Sequence, residues 1–217
     1  MRMELVAVML LASLAARSGE DSIILPEPEE DSGVTVVEAI ERRRSVRSYS
    51  GDPVSLPQLA RLLHCAQGLT SPWGFRAAPS AGATYPMTLY VVAEEVDELE
   101  PGIYVFNPDG MSLEPLKEGD FLQELSEAAL GQPCISGAAL AVVMVADFSV
   151  TTDVYGERGF MYVHMEAGHI SQNIYLQATA MDLGTVAVGA FMDDDVAGLL
   201  ELGAGMIPLY IMPVGGI

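Results

Sequence analysis

Arg42-Arg43-Arg44-Ser45-Val46-Arg47-Ser48-Tyr49 gathers four of the chain's ten basic residues into six positions, in a protein whose formal net charge is −20. Guanidinium groups clustered against the overall charge ask for a local anion. The Ser45 hydroxyl, between Arg44 and Arg47, adds a neutral donor, a combination suited to phosphate oxygens. A ligand with one phosphate fits better than a polyanion, because the remaining surface would repel nucleic acid. The stretch closes a helical segment, and the carboxyl end of a helix carries a dipole unfavourable to anions. The guanidinium groups would therefore supply the attraction. The competing explanation is a solvated basic helix end that complements the dipole, and spacing alone does not separate the two.

The chain has 217 residues, half of them hydrophobic and 18% charged. That is a globular composition with enough length for one domain and a substantial core. A pI near 4.2 disfavours nucleic acid and anionic membrane surfaces as partners. The apolar run Leu5 to Ala16 spans 12 residues, short of the ~20 a membrane-crossing helix needs, so no stable membrane span is expected. Residues 1–17 read either as a signal peptide, with small residues at Ser13-Leu14-Ala15, or as an amino-terminal helix. A cytoplasmic and an exported protein both remain open. Residues 18–33, rich in acids, read as an exposed linker, and residues 34–217 as the folded domain. Cys65 and Cys134 read as buried small hydrophobes rather than a disulfide.

Working outward from the arginines, Thr35 and Glu38 form a capping box that opens a short helix ending in the cluster. Ser55 caps a second helix with Pro57 in its first turn and Leu59, Leu62, Leu63 and Ala66 on one face, and Gly68 ends it. A loop rich in small residues runs from Thr70 to Pro86. Leu89 to Ala93 reads as a buried strand. Ile103 to Phe106 and Met111 to Leu116 read as a hairpin around Asn107-Pro108-Asp109-Gly110. Phe121 to Leu130 reads as a helix, and Ala138 to Ala146, without a polar face, as a strand buried on both sides. Gly159 to Leu183 is the longest helical pattern and is apolar on more than one side, which predicts burial nearly all round, in either a large core or a subunit interface. Thr185 to Val188, Asp193 to Leu202 and Pro208 to Pro213 complete a strand, a helix and a strand. The mixture of hairpin and crossover connections predicts an α+β sheet layered with helices.

Three further segments carry candidate chemistry. In Pro79-Ser80-Ala81-Gly82, small residues let backbone N–H groups approach a planar ligand. At Gly189-Ala190, a strand end could present backbone donors to a ring nitrogen. His164, Glu166 and His169 lie on the long helix, but the imidazoles are five residues apart and project to different faces, so no metal site is expected. The chain has no nucleophile elbow and no dinucleotide fingerprint.

Four segments in order resemble the nitroreductase family, and within it the SagB-type dehydrogenase branch. They are Arg43 to Tyr49; Ala78-Pro79-Ser80-Ala81-Gly82-Ala83-Thr84-Tyr85-Pro86; Tyr155-Gly156-Glu157-Arg158-Gly159 leading to Glu166-Ala167-Gly168-His169 and Gln172-Asn173; and Gly189-Ala190-Phe191 followed by Leu209 to Gly215. The match covers about residues 34–215. The resemblance implies a three-layer α/β/α fold with a mixed, mostly antiparallel sheet and a long central helix at a homodimer interface.

It further implies FMN, bound non-covalently between subunits. Arg43, Ser45 and Arg47 would hold the phosphate and ribityl chain, with Arg44 nearby. Pro79, Ser80, Ala81 and Gly82 would lie against the isoalloxazine, from the other subunit. Gly189 and Ala190 would sit at the flavin face with an N–H near N5. Ping-pong hydride and electron transfer through N5 is the implied chemistry, with NADH or NADPH as electron donor and a small molecule or peptide as substrate. Tyr155 and Tyr85 are the candidate acids. Peptide azoline oxidases of the branch carry a Lys-Tyr pair where this chain has Val154-Tyr155. Azoline oxidation is thus the second reading, and a flavin-binding or storage protein without turnover the third.

Overall fold

The structure is a computed structural model that describes residues 22–28 and 33–217. The expected signal peptide or amino-terminal helix lies outside the described residues. The expected linker, residues 18–33, is described only in part, and that part departs from the expectation. Ser22-Ile23-Ile24-Leu25 interrupts the acids with apolar side chains, and Ile23–Ile24 forms strand β1 on the sheet edge, with Leu25 buried.

The predicted capping box at Thr35 forms, and the predicted Ser55 cap is a capping box as well. Thr35 Oγ1 accepts from Glu38 N (3.2 Å) and Glu38 Oε2 from Thr35 N (2.8 Å), starting helix α1, Val36–Arg42. Ser55 and Gln58 do the same for α2, Leu56–Gln67. Helix α1 buries only Ala39, while Val36, Val37 and Ile40 face outward. The chain then runs through β2 (Met87–Ala93), β3 (Gly102–Asn107), β4 (Ser112–Glu118), α3 (Leu122–Ala128), α4 (Pro133–Ser136) and β5 (Leu140–Asp147). It continues through α5 (Phe148–Tyr155), α6 (Arg158–Ala180), β6 (Leu183–Thr185), α7 (Asp193–Leu199) and β7 (Met206–Gly216).

The strands form one sheet in the order β1-β4-β3-β2-β5-β7-β6. Every strand pair is antiparallel, and a single isolated bridge, Val54 to Val96, is parallel. The β3–β4 hairpin turns where expected, with Asn107 Oδ1 accepting from the N–H of Asp109 and Gly110 (3.1 and 3.4 Å).

Central strands alternate between two cores. Leu89, Val91, Val142 and Met144 face α2 and α6, meeting Leu59, Leu63, Ile170 and Ile174. Tyr90, Val92, Val143 and Val145 face α3, α4 and α7, meeting Leu125, Ile135 and Val196. The molecule is therefore a three-layer α/β/α arrangement, and β5 is buried on both faces from Leu140 to Ala146, as its apolar sequence required.

Helix α6 buries one side within a single chain, through Val163, Ala167, Ile170, Ile174 and Ala178, while Phe160 and Met165 stand half exposed. Of the two settings that suit a helix apolar all round, a large core and a subunit interface, its own chain supplies the first on one side only. One expectation needs correction. The strand expected at Thr185 to Val188 stops at Thr185, because its backbone partners lie off the sheet: Thr185 O accepts from Val46 N (2.9 Å) and Ala187 N donates to Tyr175 Oη (2.8 Å). Val188 rejoins β7 by an isolated bridge to Ile211.

Candidate active site

Arg43 to Ser50 leaves α1 without helical structure, crossing the carboxyl half of α6 and the end of the sheet. Ser45 Oγ lies 3.0 Å from Tyr175 Oη, and the Arg43 guanidinium stands 5.2 Å from the Tyr175 ring centroid. The same phenol oxygen accepts from Ala187 N at 2.8 Å, two residues before Gly189. Tyr175 thus joins the arginine strip to the strand end, a role its sequence context hid: an aromatic within a long apolar helix reads as core.

Arg47 is exposed and lies beside Tyr49 and Cys134. Burial pushes both the Tyr49 phenol and the Cys134 thiol up, and Arg47 works in the opposite direction on each. Tyr49 itself packs on Gly215, where a Cβ would meet the Tyr49 ring at 2.8 Å. Gly189 and Ala190 are exposed, and Ala190 O accepts from Gln132 Nε2 at 2.9 Å, fixing this strand end against the start of α4. Arg43, Ser45, Arg47, Gly189 and Ala190 are therefore reached from one connected set of contacts. Arg44 is not part of it. Its Nη1 folds back to Glu41 O and Arg43 O (2.9 and 2.7 Å), on the far side of the strip. Among the described residues, Arg43, Arg44 and Arg47 form no ion pair, whereas Arg42 pairs with Asp182 at 2.7 Å.

The loop Pro79 to Gly82 is built separately. Ser80 Oγ accepts from Tyr85 N (3.0 Å), and Tyr85 Oη accepts from Arg76 N (3.0 Å) while the Arg76 guanidinium covers its ring at 4.7 Å. Tyr85 is a brace whose phenol oxygen accepts this hydrogen bond while keeping its own proton. Gly82 adopts φ +60°, and a Cβ there would meet Tyr155 Oη at 2.5 Å. The left-handed φ favours glycine, and any larger residue would have to displace the tip of the Tyr155 side chain. Tyr155 is partly exposed and stacks edge-on against Tyr162, and Val154 beside it is exposed. Glu166, only 2% exposed, anchors the loop from below. It hydrogen-bonds Ser80 and accepts from Gln67 Nε2 at 3.4 Å, and Gln67 Oε1 in turn accepts from Arg76 Nη1 at 3.0 Å. Burial raises the Glu166 carboxyl, partly offset by Ser80, Gln67, Arg76 and His169. His169 Nδ1 lies 3.1 Å from Pro79 O. His164, Glu166 and His169 thus serve different neighbours, and among the described residues no cluster could hold a metal ion.

The loop and the strip meet α6 at different places. Glu166 and Tyr175 are nine residues apart on this helix, which is about 13.5 Å of rise and two and a half turns, so they project to opposite sides. Cys65 and Cys134 are free thiols, Cys134 buried and Cys65 donating to Gln177 Oε1 at 3.3 Å. Among the described residues no helix is long and apolar enough to cross a membrane.

Comparison with known proteins agrees with this architecture. A nitroreductase-type protein of Methanocaldococcus jannaschii is 42% identical over 193 residues, covering 89% of this chain and 95% of that one. The FMN reductase [NAD(P)H] of Bacillus subtilis is 24% identical over 196 residues, covering 84% of this chain and 64% of that protein. A nitroreductase-type crystal structure from Ralstonia eutropha superposes with a TM-score of 0.79 at 26% identity, covering 92% of this chain and 90% of that one. The Nitroreductase family model matches residues 40–216, and with the three-layer fold in place the chain belongs to the nitroreductase family, a family of oxidoreductases.

Proposed function

We propose that this protein is an FMN-dependent oxidoreductase of the SagB-type branch that works as a homodimer, with NADH or NADPH as electron donor and a small molecule as substrate. The observation that carries the proposal is the arginine strip. Arg43 and Arg47, which pair with no carboxylate among the described residues, flank a hydroxyl already oriented by Tyr175, and a dianionic phosphate monoester suits that donor set. The exposed strand end at Gly189 and Ala190, joined to the strip through Tyr175 and Ala187, is where a flat ring system attached to that phosphate would reach. The residues fit FMN in charge and in order. When bound, FMN supplies hydride and electron transfer through N5, and the chain binds, orients and shields it.

The two sides of α6 support the homodimer. A ligand on the strip would face away from the Pro79–Gly82 loop of its own chain, and a second copy could bring that loop over the ring. The half-exposed Phe160 and Met165 offer apolar surface for the contact. Tyr155, exposed beside Gly82, is then the proton-donating candidate at the ring, and Tyr85 holds the loop. The NAD(P)H donor is supported by the Bacillus subtilis relative named FMN reductase [NAD(P)H]. Val154 in place of a lysine favours a small-molecule substrate over a peptide azoline.

The test is an absorbance spectrum of the purified protein, before and after adding FMN, followed by anaerobic titration with NADH and NADPH. A yellow protein of dimer mass, bleached by either donor and restored by air, is the expected result. Protein that stays colourless with added FMN overturns the reading. Yellow protein that neither donor bleaches leaves a flavin-storage role in its place.

A further inference from the structure

The hydrogen bonds beneath the Pro79–Gly82 loop have a fixed direction, set by which groups carry protons. Arg76 has only donors, so its Nη1 must meet the oxygen of the Gln67 amide, at 3.0 Å. That leaves the Gln67 nitrogen facing Glu166 Oε1, at 3.4 Å. Pro79 O can only accept, so His169 Nδ1, 3.1 Å away, carries its proton there. Ser80 Oγ accepts from Tyr85 N at 3.0 Å and also hydrogen-bonds Glu166. An ionised Glu166 can only accept, so the single Ser80 proton points inward to it.

A protonated Glu166 has a proton of its own to place. Gln67 cannot take it, because turning that amide would set its N–H groups against the Arg76 guanidinium. Ser80 can take it. A hydroxyl oxygen has two acceptor sites, one for Tyr85 N and one for the Glu166 O–H. The Ser80 proton is then released from the contact and turns outward, on a side chain that is only half-buried. Glu166 itself is 2% exposed, and burial favours its protonated form. Arg76 from the loop and His169 from α6 favour the ionised form, as do the hydrogen bonds from Ser80 and from the uncharged Gln67 amide on α2. These opposed influences leave a balance that a nearby charge can tip.

We propose that Glu166 is a positioning residue whose proton decides which way the Ser80 hydroxyl points. Ionised Glu166 draws the Ser80 proton inward; protonated Glu166 leaves Ser80 offering that proton to a ligand lying against the loop. A ligand that gains negative charge there takes the Ser80 O–H as a donor, and Glu166 takes up a proton from solvent. The ligand's part rests on the flavin reading above, in which this loop covers the ring; the exchange between Glu166 and Ser80 does not. Glu166→Gln holds the second state permanently, with its oxygen on the Gln67 nitrogen and its nitrogen on the Ser80 oxygen.

Two measurements test this. The first is infrared titration of the full-length apoprotein, following the carboxylic C=O band against pH. Glu166→Gln should lose one titrating component, while that of Glu94 persists in both proteins. Ser80→Ala, which removes a donor to the carboxylate, should move the Glu166 component to higher pH; it lies on the loop and serves alone if Glu166→Gln does not fold. The second is the midpoint potential of the FMN-loaded protein against pH. Just above the pH at which the Glu166 component titrates, wild type should take up to about one proton more per flavin reduced than Glu166→Gln. A component that Ser80→Ala leaves in place overturns the proposal. So do parallel pH dependences of the potential in wild type and Glu166→Gln. Protein that binds no FMN takes down the flavin reading alone, and the infrared shift in Ser80→Ala then decides for or against the exchange.

Discussion

Tyr175→Phe is the sharpest test of how the candidate site is held together. The substitution keeps the ring, and with it the Arg43 stacking at 5.2 Å, and deletes one oxygen. That oxygen serves two groups, Ser45 Oγ at 3.0 Å and Ala187 N at 2.8 Å. Ser45 is exposed and regains water at little cost. Ala187 is half-buried, so its N–H loses its partner without full access to solvent. A net hydrogen bond is worth about 1 kcal/mol and an unsatisfied buried group up to about 3. Partial exposure places the loss near 1–1.5 kcal/mol, or about 2–6 °C in Tm for a chain of this size.

The second consequence is at the ligand. Without Tyr175 Oη the Ser45 hydroxyl is no longer aimed, and FMN Kd should rise about three- to tenfold. Urea unfolding of the apoprotein and FMN fluorescence titration measure the two effects separately. In a double-mutant cycle, Ser45→Ala and Tyr175→Phe should be non-additive for FMN by at least about 0.5 kcal/mol. Wild-type stability and affinity in Tyr175→Phe, or strict additivity in the cycle, would refute the reasoning.

Three other perturbations follow from the same geometry. Gly82→Ala puts a methyl 2.5 Å from Tyr155 Oη at φ +60°. It should displace the loop, lower stability by about 1–2 kcal/mol and slow turnover, read by thermal unfolding and steady-state assay. Glu166→Gln keeps the contacts to Ser80 and Gln67 but removes a carboxyl that burial raises. Above its unfolded value the native state holds this proton more tightly than the unfolded chain, so wild-type stability declines as pH rises through the folded value. The Glu94 carboxyl, pushed up to about 7 by burial and Asp120, acts in the same sense. The difference between wild type and Glu166→Gln across a pH series of unfolding curves isolates Glu166, and the variant should be the flatter of the two. Arg47→Ala should weaken FMN by one to two decades, about 1.5–3 kcal/mol, with unfolding near wild type because the side chain is exposed; unchanged affinity places the phosphate elsewhere.

Much of the scaffold was legible in the residues because its signals are local. The Thr35 and Ser55 caps each need one side chain three residues ahead, and both formed. The unbroken apolar run of β5 allows only double-sided burial. The hidden parts depend on distant partners. Periodicity could not distinguish a helix enclosed by its own chain from one, like α6, with an apolar side left open. Nothing around Tyr175 marks its oxygen as a junction between residues 45 and 187. Four arginines in a row of six positions look equivalent in sequence, yet the backbone sends Arg43 toward Tyr175 and Arg44 away from it.

Among the described residues, the short strand at Ile23–Ile24 covers Ser112 and Leu113 on the outer rim of β4, and Leu25 N donates to Met111 O just before it. Beyond those two residues the rim is guarded by its own chemistry: Pro115 has no N–H to offer, and Glu114, Lys117 and Glu118 carry charge. Those few residues therefore act as a gasket on a stretch of rim that lacks such protection. Clipping them would bare an adhesive seam, where one molecule could zip onto the next and begin a fibre.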